Sequence, residues 1–211
     1  MKRKVFGIGF HKTGTTSLAN ALTCLGYRVT GPNWVDDPNI AGTVDKMAIE
    51  LAKEFDGFQD NPWPILYREL DREFPGSKFV LTLRPAQQWM SSVVNHFSDD
   101  ETPMREWIYG VGHPKGNEDI YLARYTRHNR EVEEYFRDRP EDLLILRLTE
   151  GEGWEKLCPF LNEPIPATDF PCSNTASQRE KMSKREKSYL WQAYIKVRRG
   201  VRRLTASSAA P

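Results

Sequence analysis

The sequence predicts a three-layer α/β/α domain built on a mainly parallel central sheet. Short β-rich runs alternate along the chain with segments of helical periodicity, which is the pattern of α/β folds. Two runs, KFVLTL at residues 78–83 and LLILRL at residues 143–148, are apolar enough for strands buried on both faces. In such sheets ligands bind beyond the carboxyl ends of the strands. We therefore expect the functional loops just after residues 10, 60, 83 and 148.

The elements follow in order from the N-terminus. Residues 4–10 form a β-rich run with a glycine near its end, which predicts the first strand. Residues 14–25 place Leu18, Leu22 and Leu25 at helical spacing, and Gly26 is a stop signal. A short strand is predicted at residues 57–60. Further helices are predicted at residues 43–55, 64–74, 85–97, 117–137, 152–161 and 178–204.

Length and composition favour one domain. The 211 residues fit a single domain at residues 1–204, followed by a flexible tail at residues 205–211. Three widely spaced cysteines exclude a disulfide scaffold and a Cys-rich zinc site. No apolar run reaches the roughly 18 residues of a membrane span, and the N-terminal apolar run is too short for a signal peptide. We expect a cytoplasmic protein without a transmembrane segment.

Two segments stand apart from the regular pattern. Prolines and glycines interrupt residues 98–116, which predicts a partly irregular lid or acceptor-side loop. Residues 179–203 carry ten Lys/Arg against two Glu, whereas the chain as a whole has a net charge of +1. This basic C-terminal helix could dock on the domain, on a second subunit of a homodimer, or on an anionic surface. We expect docking within the protein and no nucleic-acid partner, since the remaining body is acidic.

A glycine loop lies between the first strand and the first helix. The pattern G-x-x-x-x-G from Gly9 to Gly14 is typical of a backbone cradle for phosphate groups. A nucleotide kinase would carry lysine after the second glycine, where this chain has Thr15; its lysine is Lys12. An ordinary strand–turn–helix with a threonine cap is the alternative reading of the same residues.

The segment that contains Lys12 resembles a motif of a known enzyme family. The segment from Lys12 to Leu18, KTGTTSL, resembles the 5′-phosphosulfate loop of the sulfotransferases, and the start of the chain is similar to bacterial-type members. That family uses 3′-phosphoadenosine 5′-phosphosulfate (PAPS) on a fold like that of P-loop nucleoside triphosphate hydrolases. It also carries an arginine after a buried strand and a serine eight residues later for the 3′-phosphate. Arg84 and Ser92 have this spacing, with neighbouring Ser91 as a substitute.

The resemblance implies roles for the remaining residues. Lys12 would neutralise the leaving phosphate, and no metal would be needed. A base would take the acceptor proton; Asp60, beyond a predicted strand, is the first candidate, with a helix N-cap as its alternative. His11, within the loop, is the second candidate for base or sulfonyl contact. The implied contacts to the donor come from Lys12, Thr13, Gly14, Thr15, Thr16, Ser17, Arg84 and Ser92.

Other assignments stay open at this stage. The implied product is 3′-phosphoadenosine 5′-phosphate (PAP), and the acceptor is a small molecule, carbohydrate or lipid with a hydroxyl or amine. A P-loop small-molecule kinase and a non-catalytic nucleotide-binding module with a basic arm are the alternative functions. Candidates for contact with the nucleotide are Trp34, Trp63, Trp107, Phe170, residues 173–175, Arg179 and Lys181.

Overall fold

The fold is described from a computed structural model for residues 2–171. The predicted basic helix at residues 178–204 and the tail at residues 205–211 lie outside these residues, as do residues 173–175, Arg179 and Lys181. Among the described residues, no helix combines the length and the apolar character needed to cross a bilayer.

The core of the fold is a five-stranded sheet in which every pairing is parallel. The strands are β1 (Val5–Gly7), β2 (Val29–Thr30), β3 (Gly57–Phe58), β4 (Lys78–Thr82) and β5 (Leu143–Leu146). Their order across the sheet is β2-β3-β1-β4-β5. The α/β prediction with a parallel sheet is confirmed.

Within residues 2–171, seven α-helices connect and cover the strands. They are α1 (Thr15–Cys24), α2 (Ile40–Ala52), α3 (Tyr67–Glu73), α4 (Ala86–Phe97), α5 (Pro103–Tyr109), α6 (Glu118–Tyr135) and α7 (Trp154–Leu161), with short 3₁₀ turns at Trp63–Ile65 and Leu148–Glu150. The second predicted helix, residues 43–55, begins and ends three residues earlier. The third is divided into a 3₁₀ turn and α3.

The two faces of the sheet carry separate apolar clusters, which gives the three layers. Alternate residues of β4 point to opposite faces, so that Phe79 and Leu81 join one cluster and Val80 joins the other. The cluster around Val80 includes Leu18 of α1 and Leu157 of α7. The larger cluster is formed with residues of α2 to α6.

Two predictions at the level of elements need correction, and two elements were not predicted. The strand predicted at residues 57–60 ends at Phe58, and β2 was not predicted. LLILRL was predicted to be buried on both faces, but Leu143 to Ile145 are half-buried because β5 is an edge strand. Residues 98–116 contain a helix that was not predicted, α5, which starts with proline at its first position and has irregular segments on both sides.

Candidate functional site

The loop between β1 and α1 lies against the end of β4. A Cβ atom added at Gly9 would overlap the hydroxyl and carbonyl oxygens of Thr82, so only glycine allows this approach. Gly14 adopts a left-handed conformation, with φ of 107°, as the N-cap of α1. No side chain caps this helix, and its first turn contains no acidic residue. The backbone N–H groups of the first turn thus form an anion-binding end.

The hydroxyls of the loop differ in what they can contact. Thr13 is fully buried, and its hydroxyl lies 2.6 Å from both the carbonyl oxygen of Phe10 and the hydroxyl of Thr82. It fastens the loop to β4, so its side chain is not available to a ligand. Thr15 and Ser17 are buried as well, whereas Thr16 is exposed at the start of the helix.

Asp60 faces the loop from the neighbouring strand. Its carboxylate accepts hydrogen bonds from the Thr15 hydroxyl at 2.9 Å and from the Asn61 backbone N–H at 2.8 Å. Burial raises the pKa of Asp60 above its ordinary value, opposed by these two hydrogen bonds and by the charge of Lys12. The carboxylate caps no helix, because the following 3₁₀ turn has Pro62 at its N-cap.

Lys12 and Asp60 share an uncommon backbone geometry. Both have positive φ angles, 66° and 62°, in the left-handed region that side chains other than glycine seldom adopt. Such conformations cluster at functional sites because the surrounding structure must hold them. The charge of Lys12 also acts on the pKa of Asp60, so the gap between the loop and β3 is a candidate centre of the site.

His11 is buried behind the loop. Its Nδ1 lies 3.2 Å from the amide nitrogen of Asn61, and its Nε2 lies 3.3 Å from the Tyr109 hydroxyl. Burial, together with the charges of Arg105 and Lys12, lowers the pKa of His11 to about 3. The imidazole is therefore neutral near pH 7, with both nitrogens in hydrogen bonds, and it supports the residue that follows Asp60.

Arg84 lies directly beyond β4, on the other side of the loop. Its Nη1 is 3.5 Å from the carbonyl oxygen of Lys12, so the guanidinium adjoins the loop backbone. The Tyr125 hydroxyl accepts from the Arg84 N–H at 3.0 Å and donates to the Arg84 carbonyl at 2.8 Å. Among residues 2–171, the buried Nε of Arg84 has no hydrogen-bond partner.

A pocket of about 810 Å³ opens at Arg84. It is lined by residues at the carboxyl ends of β4 and β5 and by α6, with Arg147 and Asn129 among them. In the part of the chain that the structure describes, the buried Oδ1 of Asn129, like the Nε of Arg84, lacks a hydrogen-bond partner. Buried polar atoms are rarely left so, and these two fit a polar ligand in the pocket.

The predicted serines sit on α4, after Arg84. The Ser91 hydroxyl is exposed and donates to the Gln87 carbonyl at 2.9 Å, so it is already engaged within the helix. Ser92 is half-buried. Of the two serines, Ser92 is therefore the better candidate for the predicted contact with the 3′-phosphate.

Of the predicted aromatic contacts, Trp63 and Phe170 pack within the protein. Trp63 is fully buried, with its ring centroid 4.5 Å from that of Phe58. Phe170 packs edge-on against Trp154 at 4.7 Å. Trp34 and Trp107 are half-buried.

Sequence reasoning missed Tyr125 and Asn129. Both lie on α6, whose many charged residues indicated only a solvated helix. Their contacts with the strand ends depend on how α6 packs, and no local motif marked them. Within residues 2–171, no cluster of three His, Cys, Asp or Glu side chains is arranged to hold a metal ion.

Comparison with known proteins relates this geometry to a family. The family model described as "Sulfotransferase domain" matches residues 4–114 and 102–179. The chain is also similar to "Ava biosynthesis cluster protein M" of Aspergillus versicolor, with 26% identity over 158 residues. This match covers 62% of the chain, and the chain spans 59% of the length of that curated relative.

Proposed function

The chain belongs to the sulfotransferase domain family, and on this premise we propose that it moves a sulfonyl group from PAPS to a hydroxyl or amine of an acceptor. The observation that carries the proposal is the position of Arg84. The Arg84 guanidinium adjoins the carbonyl of Lys12, which supports a second phosphate subsite beside the N-terminal end of α1. PAPS carries two phosphorylated positions, whereas a kinase substrate such as ATP carries its phosphates in one chain.

The residues around the loop fit the charges of the donor. The N–H groups at the start of α1 and the Thr16 hydroxyl would hold the 5′-phosphosulfate. Arg84, whose Nε has no partner among the described residues, would hold the 3′-phosphate together with Ser92. The donor contacts of Lys12, Thr13, Gly14, Thr15 and Ser17 are part of the same proposal, through the backbone in the case of Thr13.

In the proposed transfer step, one residue takes a proton from the acceptor and another neutralises the leaving group. Asp60 takes the proton of the acceptor as the acceptor atom bonds to sulfur. The bond between sulfur and the 5′-phosphate oxygen breaks, and that oxygen leaves with PAP. Lys12 neutralises the charge that develops there. His11, neutral and hydrogen-bonded on both sides, positions Asn61 beside the base.

The segment at residues 98–116 is proposed to form the acceptor side. Arg105 holds it together, since its Nε donates to the Gly112 carbonyl at 2.9 Å and its guanidinium lies 4.5 Å from the Phe97 ring centroid. Tyr109 of the same segment contacts His11 behind the loop. The segment therefore adjoins the loop that would carry the sulfonyl group.

A direct test supplies two labelled donors to the same acceptors. The protein is incubated with ³⁵S-labelled PAPS, or with γ-³²P-labelled ATP and magnesium, and with a phenol, a sugar and an alkylamine. Transfer of ³⁵S that is lost in Lys12→Ala supports the proposal. Transfer of ³²P instead overturns it in favour of a kinase.

A further inference from the structure

The Tyr125 hydroxyl forms hydrogen bonds with both backbone polar groups of Arg84. It accepts a hydrogen bond from the Arg84 N–H at 3.0 Å and donates one to the Arg84 carbonyl at 2.8 Å. Tyr125 is 2% exposed, so water does not compete for these bonds. The segment after β4 has left the sheet at this point, and a side chain from α6 takes the place of a neighbouring strand.

Trp89 extends this contact to the phosphate loop. The Trp89 indole is stacked on the Tyr125 ring, with centroids 4.1 Å apart and planes 10° from parallel. Its Nε1 donates to the carbonyl oxygen of His11 at 2.8 Å. Both rings are buried. One rigid aromatic pair thus touches the backbone of the loop at one end and the backbone of Arg84 at the other.

This arrangement fixes two anion subsites relative to each other. The loop and Arg84 belong to different strands, and a hydrogen bond of 3.5 Å joins the Arg84 Nη1 to the Lys12 carbonyl. Stacked aromatic rings with satisfied polar groups change shape little, so the pair holds the separation between the loop and the guanidinium. A ligand with phosphates at both places gains from that preorganisation, because it need not order the site itself.

We propose that Tyr125 is a positioning residue that, with Trp89, sets the spacing between the 5′-phosphate loop and Arg84 and so selects nucleotides that also carry a 3′-phosphate. This inference rests on the proposed function, since it takes Arg84 as the 3′-phosphate contact. Tyr125 itself need not touch the ligand. Its hydroxyl acts through Arg84.

The test compares two nucleotides that differ only in the 3′-phosphate. Calorimetric titrations with PAP and with adenosine 5′-monophosphate are made on the wild type, Tyr125→Phe, Arg84→Ala and the double variant. Tyr121→Phe is the matched control, because Tyr121 is buried one turn earlier on α6 and its hydroxyl contacts the Val111 carbonyl, away from Arg84. Thermal unfolding of each variant records any general loss of stability.

The expected result is selective. Tyr125→Phe should weaken PAP binding about tenfold, the scale of one or two buried hydrogen bonds, and leave binding of the monophosphate unchanged. Tyr121→Phe should bind both like the wild type. In the Arg84→Ala background, Tyr125→Phe should have no further effect on PAP, because a residue that acts through Arg84 has nothing left to position.

Two results overturn the inference, and they are distinguishable. If the wild type prefers PAP to the monophosphate but Tyr125→Phe keeps that preference, or weakens both nucleotides equally, Tyr125 has only a structural role. If the wild type itself does not distinguish the two nucleotides, the proposed donor site fails, and the inference fails with it.

Discussion

Asp60 shows how one residue can be tuned by its surroundings. Burial raises its pKa, while the Thr15 hydroxyl, the Asn61 N–H and the Lys12 charge oppose the rise. A carboxylate with a raised pKa is a stronger base than one in water, yet the charge of Lys12 keeps the ionised form accessible. These effects suit a group that must take a proton beside an anionic donor.

Asp60→Asn should slow transfer from PAPS by about a hundredfold or more, the usual scale for a general base. Binding of PAP should change little, because the donor contacts lie on the loop and Arg84. In the wild type, the rate should rise with pH through the raised pKa of Asp60, since only the ionised form takes the proton. The measurement is the initial rate of ³⁵S transfer between pH 4 and pH 8; a variant as active as the wild type would exclude Asp60 as the base.

His128 gives the fold a pH dependence of its own. Burial lowers its pKa to about 4, and its Nε2 lies 2.8 Å from the Ile8 carbonyl oxygen. Because the folded pKa lies below that of the unfolded chain, the neutral form is favoured in the folded state. Its contribution to stability is complete above about pH 6.5 and is lost as the pH falls toward 4.

We expect the free energy of unfolding to fall by up to about 1.4 kcal/mol per pH unit on account of His128 in that range. Urea unfolding of the wild type and of His128→Gln between pH 7.5 and pH 4.5 isolates this share, since other titrating groups are common to both. The variant should show the shallower dependence. Parallel curves for the two proteins would mean that His128 is not held neutral by the fold.

At the scale of elements, the loop depends on how closely β1 and β4 approach. An added Cβ at Gly9 would overlap oxygens of Thr82 and lie 2.7 Å from its backbone nitrogen, whereas one at Gly42 in α2 meets no atom within 4 Å. A side chain is therefore excluded at position 9, whereas position 42 has room for one.

Gly9→Ala should lower the free energy of unfolding by about 3 kcal/mol or more, because the backbone of β4 cannot move aside cheaply. Gly42→Ala should raise it by about 0.5–1 kcal/mol, since alanine favours a helix over glycine. Urea denaturation at one pH compares the pair. Equal losses in both variants would show that the close approach to Thr82 does not constrain the loop.

The elements show where sequence patterns suffice and where they fail. The central strand β4 was predicted because its burial on both faces requires an apolar run. The two-residue strand β2 leaves no such pattern, as its pairing depends on β3. The helix α5 was missed because Pro103 was read as an interruption, although it stands at the first helical position after Thr102, whose side chain accepts from Arg105 N–H at 3.2 Å.

At the scale of the whole molecule, the order of the strands brings the residues of the proposed site close together. The strands β3, β1 and β4 are neighbours, and they end next to Asp60, the glycine loop and Arg84 in turn. Parallel strands bring their carboxyl ends to one edge, so residues far apart in the sequence become adjacent. The sequence motifs predicted these three places. The contacts from α6, such as Tyr125 to Arg84, could not be predicted, because they depend on the packing of a distant helix.

The central claim is that this site binds a donor with a 3′-phosphate. Its most direct test is calorimetric titration of the protein with PAP and with ADP, with and without magnesium, for the wild type and Arg84→Ala. We expect PAP to bind without magnesium and more tightly than ADP, with an affinity that falls about tenfold or more when Arg84 is replaced. Preference for ADP with magnesium, or PAP binding unchanged in Arg84→Ala, would contradict it.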